Sequence, residues 1–244
     1  MKISAIIPCR SGSKGIRDKN IAQLGELPLM AYSILAAKKA ELINDVFVTS
    51  DSNHYLDISH QYGDVKRILR PGNLASDSST DLDYFRHAVE YCEENNIGLP
   101  ELWVLLRPTT PFRDVKLINE AINKFISNQA NFTSMRSAHE APESPQKWFK
   151  LSKDKERFLP YINNMHIGET NLPRQQFESA YIPNGYIDIV KTDNIKKGIL
   201  FGEKIMSYIS PQCIEIDTKQ DLTLARTVMM ADKDAMLAGL MNEY

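Results

Sequence analysis

The chain has 244 residues, 29 Lys and Arg against 31 Asp and Glu, a formal net charge of −2 and 43% hydrophobic residues. That length fits one large α/β domain, or one domain with a small appendage, and the near-neutral balance leaves no basic field to hold a nucleic-acid backbone. The 3 cysteines, Cys9, Cys92 and Cys213, are too scattered for a disulfide framework or zinc knuckle, and no apolar run reaches membrane length, so a cytoplasmic protein without nucleic-acid or membrane partners is expected.

Lys2–Cys9 reads as a buried first strand, followed by a polar, glycine-containing loop over Arg10–Asn20. Pro28–Ala40 has proline at its first turn and Leu29, Ser33, Ala36 and Ala37 on one face, which predicts a helix. Asp45–Ser50 is a second strand, His54–Tyr62 a short helix and Val65–Leu69 a third strand, stopped by the turn Arg70-Pro71-Gly72. Ser79 or Thr80 caps a helix reaching about Asn95, Glu101–Leu106 is a further strand, and Asp114–Ser127 is the next helix. From 138 to 183 prolines interrupt the pattern and read as an insertion within a single domain spanning 1–244. Gly185–Val190, Lys204–Ile209 and Ile214–Asp217 restore strand character, with a short helix near Asp193–Lys197. A C-terminal helix would turn Leu222, Ala225, Val228 and Met229 inward, with Met236, Leu237, Leu240 and Met241 continuing after a break near Asp232. This alternation predicts βαβ units on a mainly parallel sheet.

The loop after the first strand carries Arg10, Lys14, Arg17 and Lys19, with Ser11 and Ser13 as donors and Gly12 and Gly15 allowing close backbone approach. Such a composition, at the carboxyl end of a parallel strand, is that of a phosphate cradle. It matches neither the Walker pattern nor G-x-G-x-x-G. Near the other end, Glu215 and Asp217 stand two apart in IEID, so on a strand they share one face while Ile214 and Ile216 pack on the other. Two carboxylates beside a triphosphate make a magnesium site; alternatively, Asp217 or Thr218 caps the last helix. Asp51, ending the second strand, is a third carboxylate candidate.

Ile6-Ile7-Pro8-Cys9-Arg10-Ser11-Gly12-Ser13-Lys14-Gly15 with Lys19-Asn20 resembles the nucleotide-binding signature of the acylneuraminate cytidylyltransferases, which activate acidic sugars as CMP derivatives. The resemblance continues in order through Leu69-Arg70-Pro71, Leu74-Ala75-Ser76-Asp77, Pro108–Arg113, Arg174-Gln175-Gln176, Pro183-Asn184-Gly185 and Ile216-Asp217-Thr218. It implies a Rossmann-like fold of the nucleotide-diphospho-sugar transferase type. The implied reaction moves CMP from CTP to the anomeric hydroxyl of an acidic 2-keto-3-deoxy sugar and releases pyrophosphate. Arg10, Ser13, Lys14 and Lys19 would hold the triphosphate, Asn20 and Arg70 with Thr80 and Asp81 would read the cytosine, and Asp217 with Glu215 would hold Mg²⁺. Lys147, Arg174, Gln175 and Gln176, with Thr109 and Asn184, would face the sugar, and the 138–183 insertion would be the arm of a homodimer. Two positions depart from the family: Glu215 stands for Asp, and Arg107 for a sugar-contacting Gln. The second predicts a variant nonulosonic acid as acceptor. The competing readings are a transferase acting on a sugar 1-phosphate and a catalytically silent nucleotide binder.

Overall fold

Ile3, Ala5, Ile6 and Ile7 are all buried, a continuous apolar run that only a strand covered on both faces tolerates. The structure, a computed structural model, describes residues 1–231. In chain order it contains β1 (Ile3–Pro8), β2 (Gln23–Leu24), β3 (Leu27–Pro28), α1 (Leu29–Lys39), β4 (Asp45–Ser50), α2 (Asn53–His60), β5 (Lys66–Leu69), α3 (Asp81–Glu94), β6 (Leu102–Leu105) and α4 (Val115–Asn128). There follow β7 (Ser134–Glu140), β8 (Phe149–Leu151), β9 (Phe158–Pro160), β10 (Tyr181–Lys191), α5 (Thr192–Lys196), β11 (Ile205–Ile209) and α6 (Lys219–Ala231).

Among the described residues, seven strands form one sheet in the order β11-β7-β10-β6-β1-β4-β5. β10 runs antiparallel to β6 and β7, and the other neighbours are parallel. Alternation along β1 divides the core: Ile3, Ala5 and Ile7 pack with α1, α4 and α6, while Ile6 joins Phe47, Ile68 and Trp103 beneath α3 and α5. α4 shows why its sequence is helical there. Ile118, Ala121, Ile122 and Phe125 recur at helical spacing and are buried, and the Asp114 carboxylate accepts the Lys116 amide at 2.8 Å.

One strand goes unannounced in the sequence, and two expectations need correction. Ser134–Glu140 is a sheet strand with no apolar alternation to announce it; its ladder partners on both sides hold it extended, and Ser134 and Ser137 are buried among them. Because Tyr181 pairs with Glu140 and Pro183 with Ala138, both ends of the 138–183 segment belong to the sheet, so the inserted part is 141–180. Ile214–Asp217 is an extended segment outside any strand, docked by the Ile216 amide donating to the Thr109 carbonyl at 2.7 Å. Met236, Leu237, Leu240 and Met241 lie outside the described residues. No helix among the described residues is long and apolar enough to cross a membrane.

Candidate active site

The chain leaves β1 toward β4 and β5, then crosses back to β6 on the other side, so the loops after β1 and β6 part at a topological switch point. A cavity of about 400 Å³ opens there. The β1 loop brings Arg10, Ser13, Lys14, Gly15, Lys19 and Asn20 to it. Arg70, Asp77, Thr80, Asp81, Arg107, Thr109 and Asp217 line the rest.

The β1 loop is pinned before it meets a ligand. Asp51 accepts from the Ser11 amide at 2.7 Å and the Ser11 hydroxyl at 2.6 Å, and buried Asn20 donates to the Arg10 carbonyl at 2.8 Å. Asp51 thus anchors this loop with both oxygens and does not line the cavity; burial opposes its charge, but the Ser11 hydrogen bonds outweigh that and hold its carboxyl below the usual range. Gly12 turns the loop at φ 69°, which a side chain would strain. Gly15 lies so close to the Asp217 backbone that a Cβ there would stand 2.2 Å from its carbonyl oxygen. Lys19 donates to Asp217 Oδ1 at 2.7 Å. Arg10 and Lys14 share one internal anion, Asp77, at 3.0 and 2.6 Å.

The opposite wall is guanidinium-rich. Arg70 is buried and lies 5.4 Å from the Tyr84 ring centroid, and burial lowers its pKa. At the start of α3, the Thr80 amide donates to Asp83 at 2.7 Å, which caps the helix. Arg107 donates to Asp81 and, at 2.7 Å, to Asp188, which is 1% exposed. Below the wall, fully committed Arg113 donates to the carbonyls of Tyr186 (2.6 Å), Arg107 (2.8 Å), Gly185 (3.0 Å) and Thr110, and to the Ser33 hydroxyl at 2.9 Å. Burial pushes its pKa down to about 10.

Glu215 and Asp217 flank buried Ile216, so the alternation read from IEID holds without a strand. Burial first, and then the Asp217 charge, raise the Glu215 pKa. Thr218, and not Asp217, caps the last helix, its hydroxyl accepting from the Asp221 amide at 3.3 Å. Asp221 accepts from the amides of Thr218 and Asp217 at 2.7 and 3.0 Å, which leaves the Asp217 side chain to the cavity.

The profile of the cytidylyltransferase family matches residues 4–225. The chain belongs to the cytidylyltransferase family. It is 32% identical over 234 residues to an N-acylneuraminate cytidylyltransferase of Escherichia coli, covering 93% of this chain and 52% of that one. It is 26% identical over 239 residues to a pseudaminic acid cytidylyltransferase of Campylobacter jejuni, covering 96% of this chain and 99% of that relative. The chain spans about half the length of the N-acylneuraminate relatives it matches. A solved structure of CMP:2-keto-3-deoxy-manno-octonic acid synthetase complexed with CTP has the same fold, with TM-score 0.69 at 14% identity, covering 95% of this chain and all of that one.

In this family member the residues assigned to the sugar do not converge. Arg174 donates to Glu140 at 2.9 Å and to the Ala141 carbonyl, and with Gln175 lines a second cavity, of about 380 Å³, at the base of the inserted segment. Gln176 follows them on an exposed turn. Lys147 sits in a one-turn helix of that segment and lines neither cavity. Asn184 is buried, its side chain donating to Ser210 at 2.7 Å and accepting from the Tyr186 amide, so it shapes the β10 bend and does not face the first cavity. Arg107 does face the cavity, but both terminal nitrogens are held by carboxylates, unlike the free donor fork expected of a sugar contact. Asp188 and Arg113 support this wall from below, and sequence reasoning misses both. A lone charge inside the apolar run GYIDIV is a signal for the first, since a buried charge needs a partner.

Proposed function

We propose that the chain transfers CMP from CTP to the anomeric hydroxyl of an acidic 2-keto-3-deoxy sugar, a nonulosonic acid, with release of pyrophosphate. The observation that carries this reading is the convergence of Arg10, Lys14 and Lys19 on one cavity at the sheet's switch point, with Asp217 held against Lys19 and Gly15. Family membership and the names of the relatives support the same reading.

Arg10, Ser13 and Lys14 hold the triphosphate, which displaces Asp77 from the two cations. The sugar's 2-hydroxyl oxygen attacks the α-phosphorus in line as the bond to the departing pyrophosphate breaks, the hydroxyl proton passes to solvent, and fixed cations stabilise the charge that develops. Lys19, its side chain only 15% exposed, keeps its ammonium on the Asp217 side of the cavity throughout. Glu215 and Asp217 are the residues that would hold Mg²⁺. Asp217 lines the cavity, Glu215 stands two residues away across buried Ile216, and hard carboxylate oxygens suit that ion, which uses one or two carboxylates beside substrate phosphates. When bound, it neutralises charge on the triphosphate.

The second site is proposed to be completed across a homodimer. On the inserted segment Trp148, Phe149, Leu151, Phe158 and Tyr161 are exposed, the last two at 65% and 54%. Apolar side chains on a projecting hairpin are suited to cover a partner. The three cysteines are free, in keeping with a reducing cytoplasm. Pyrophosphate release from CTP and Mg²⁺, measured across N-acetylneuraminic, pseudaminic, legionaminic and 8-amino-octulosonic acids, tests the function. Turnover with one of them is expected, and release with none overturns the reading.

A further inference from the structure

Arg107 is fixed at both ends. Its backbone carbonyl accepts from Arg113 at 2.8 Å and from the Ser33 hydroxyl at 3.2 Å, while its guanidinium joins Asp81 to Asp188. Asp188 is 1% exposed, and its other oxygen lies 3.6 Å from Arg136, whose guanidinium stacks 4.4 Å from the Phe201 ring. The charges therefore alternate from the start of α3 to β7: Asp81, Arg107, Asp188, Arg136. Turning Arg107 toward a sugar would strand a buried carboxylate, a heavier loss than one new contact returns.

Asp81 is the acidic member of this chain that a ligand can meet. It lines the cavity, its side chain is 35% exposed, and one of its oxygens is held by Arg107. Beside it buried Arg70, packed over the Tyr84 ring whose neighbour Phe85 stacks on it, lines the same cavity as the β1-loop cations. A carboxylate only accepts. Held in one place, it takes a hydrogen bond from an exocyclic amine and repels a carbonyl oxygen.

We propose that Arg107 is a positioning residue that holds the Asp81 carboxylate on the cavity wall, where it selects an amino-bearing pyrimidine over a keto-bearing one, and that Arg107 is not a sugar ligand. This deepens the CTP-dependent reading above and rests on it.

Pyrophosphate release with CTP and with UTP, at fixed acidic sugar, tests it in Arg107→Gln, Arg107→Lys, Asp81→Asn and the Gln/Asn double variant. The ratio of kcat/KM for CTP over UTP is expected to fall by about tenfold or more in Arg107→Gln, the change that a mispaired polar group produces, while the KM for sugar stays within about twofold. Asp81→Asn, whose amide can donate as well as accept, should reproduce the loss. The double variant should be no worse than either single one, and Arg107→Lys should rescue the ratio in part. A raised sugar KM with the CTP preference intact in Arg107→Gln overturns the proposal. If Arg107→Gln does not fold, Asp81→Asn, which keeps the Arg107–Asp188 pair, decides: an unchanged ratio there overturns it. Wild-type protein inactive with CTP and every acid would instead overturn the function on which it rests.

Discussion

At the scale of single residues, the site depends on close fits that a change of one atom can break. Gly15→Ala would drive a Cβ into the Asp217 carbonyl and separate the β1 loop from the segment that carries both carboxylates. Pyrophosphate release is expected to fall at least about tenfold in this variant while the melting temperature changes little, because loop contacts contribute less than core packing. Gly12→Ala is the contrasting case: nothing lies within 4 Å of the new Cβ, but φ 69° disfavours it, so a stability loss of about 1 kcal/mol is expected in a denaturant titration. Asp77 occupies two of the cations proposed to hold the triphosphate. Asp77→Asn should therefore bind inorganic pyrophosphate several-fold more tightly at low ionic strength, a gain that shrinks as salt screens these exposed charges; calorimetry at two salt concentrations checks it. The cations and glycines of this loop were legible from composition alone. The roles of Asp77 and Asp51 were not, because each partners a residue at least 40 positions away, and only folding pairs them.

At the scale of elements, the strongly periodic segments declared themselves, as in α3, where Tyr84, Phe85, Ala88, Val89 and Cys92 line the buried side. β7 did not, because a strand held by ladders on both edges can carry Ser, Arg and His without alternating. The Ile214–Asp217 segment shows the reverse error. Its alternation was real, yet no neighbouring strand pairs with it, and one backbone bond to Thr109 holds it. The Asp114 cap of α4 lies outside the cavity lining, and Asp114→Ala is expected to cost about 1 kcal/mol in chemical denaturation. For the β8–β9 hairpin, replacing Phe149 and Phe158 together by Glu should convert the proposed dimer to a monomer in sedimentation velocity without lowering the melting temperature of the subunit, since both side chains are exposed.

At the scale of the molecule, near-neutral net charge conceals local pairing. Burial alone would raise the Asp45 carboxyl, but hydrogen bonds from Lys2 and Lys66 outweigh it and hold it below the usual carboxylate range, as Ser11 does for Asp51. A carboxyl with a depressed folded-state pKa contributes stability that is present at neutral pH and lost as pH falls below about 4. Asp45→Asn should therefore be less stable than the parent at pH 7, and the gap should close in acid, as followed by circular dichroism from pH 7 to pH 2. The sequence by itself determined the fold class, the phosphate-type loop after β1 and the family, because apolar periodicity, turn residues and ordered motifs are properties of neighbouring positions. Only the tertiary structure decided which charge meets which. It placed Lys19 on Asp217, Asp77 across Arg10 and Lys14, and Arg107 between Asp81 and Asp188, pairings that arise where the sheet brings distant loops to one crevice, and for Asp188 burial makes a partner obligatory.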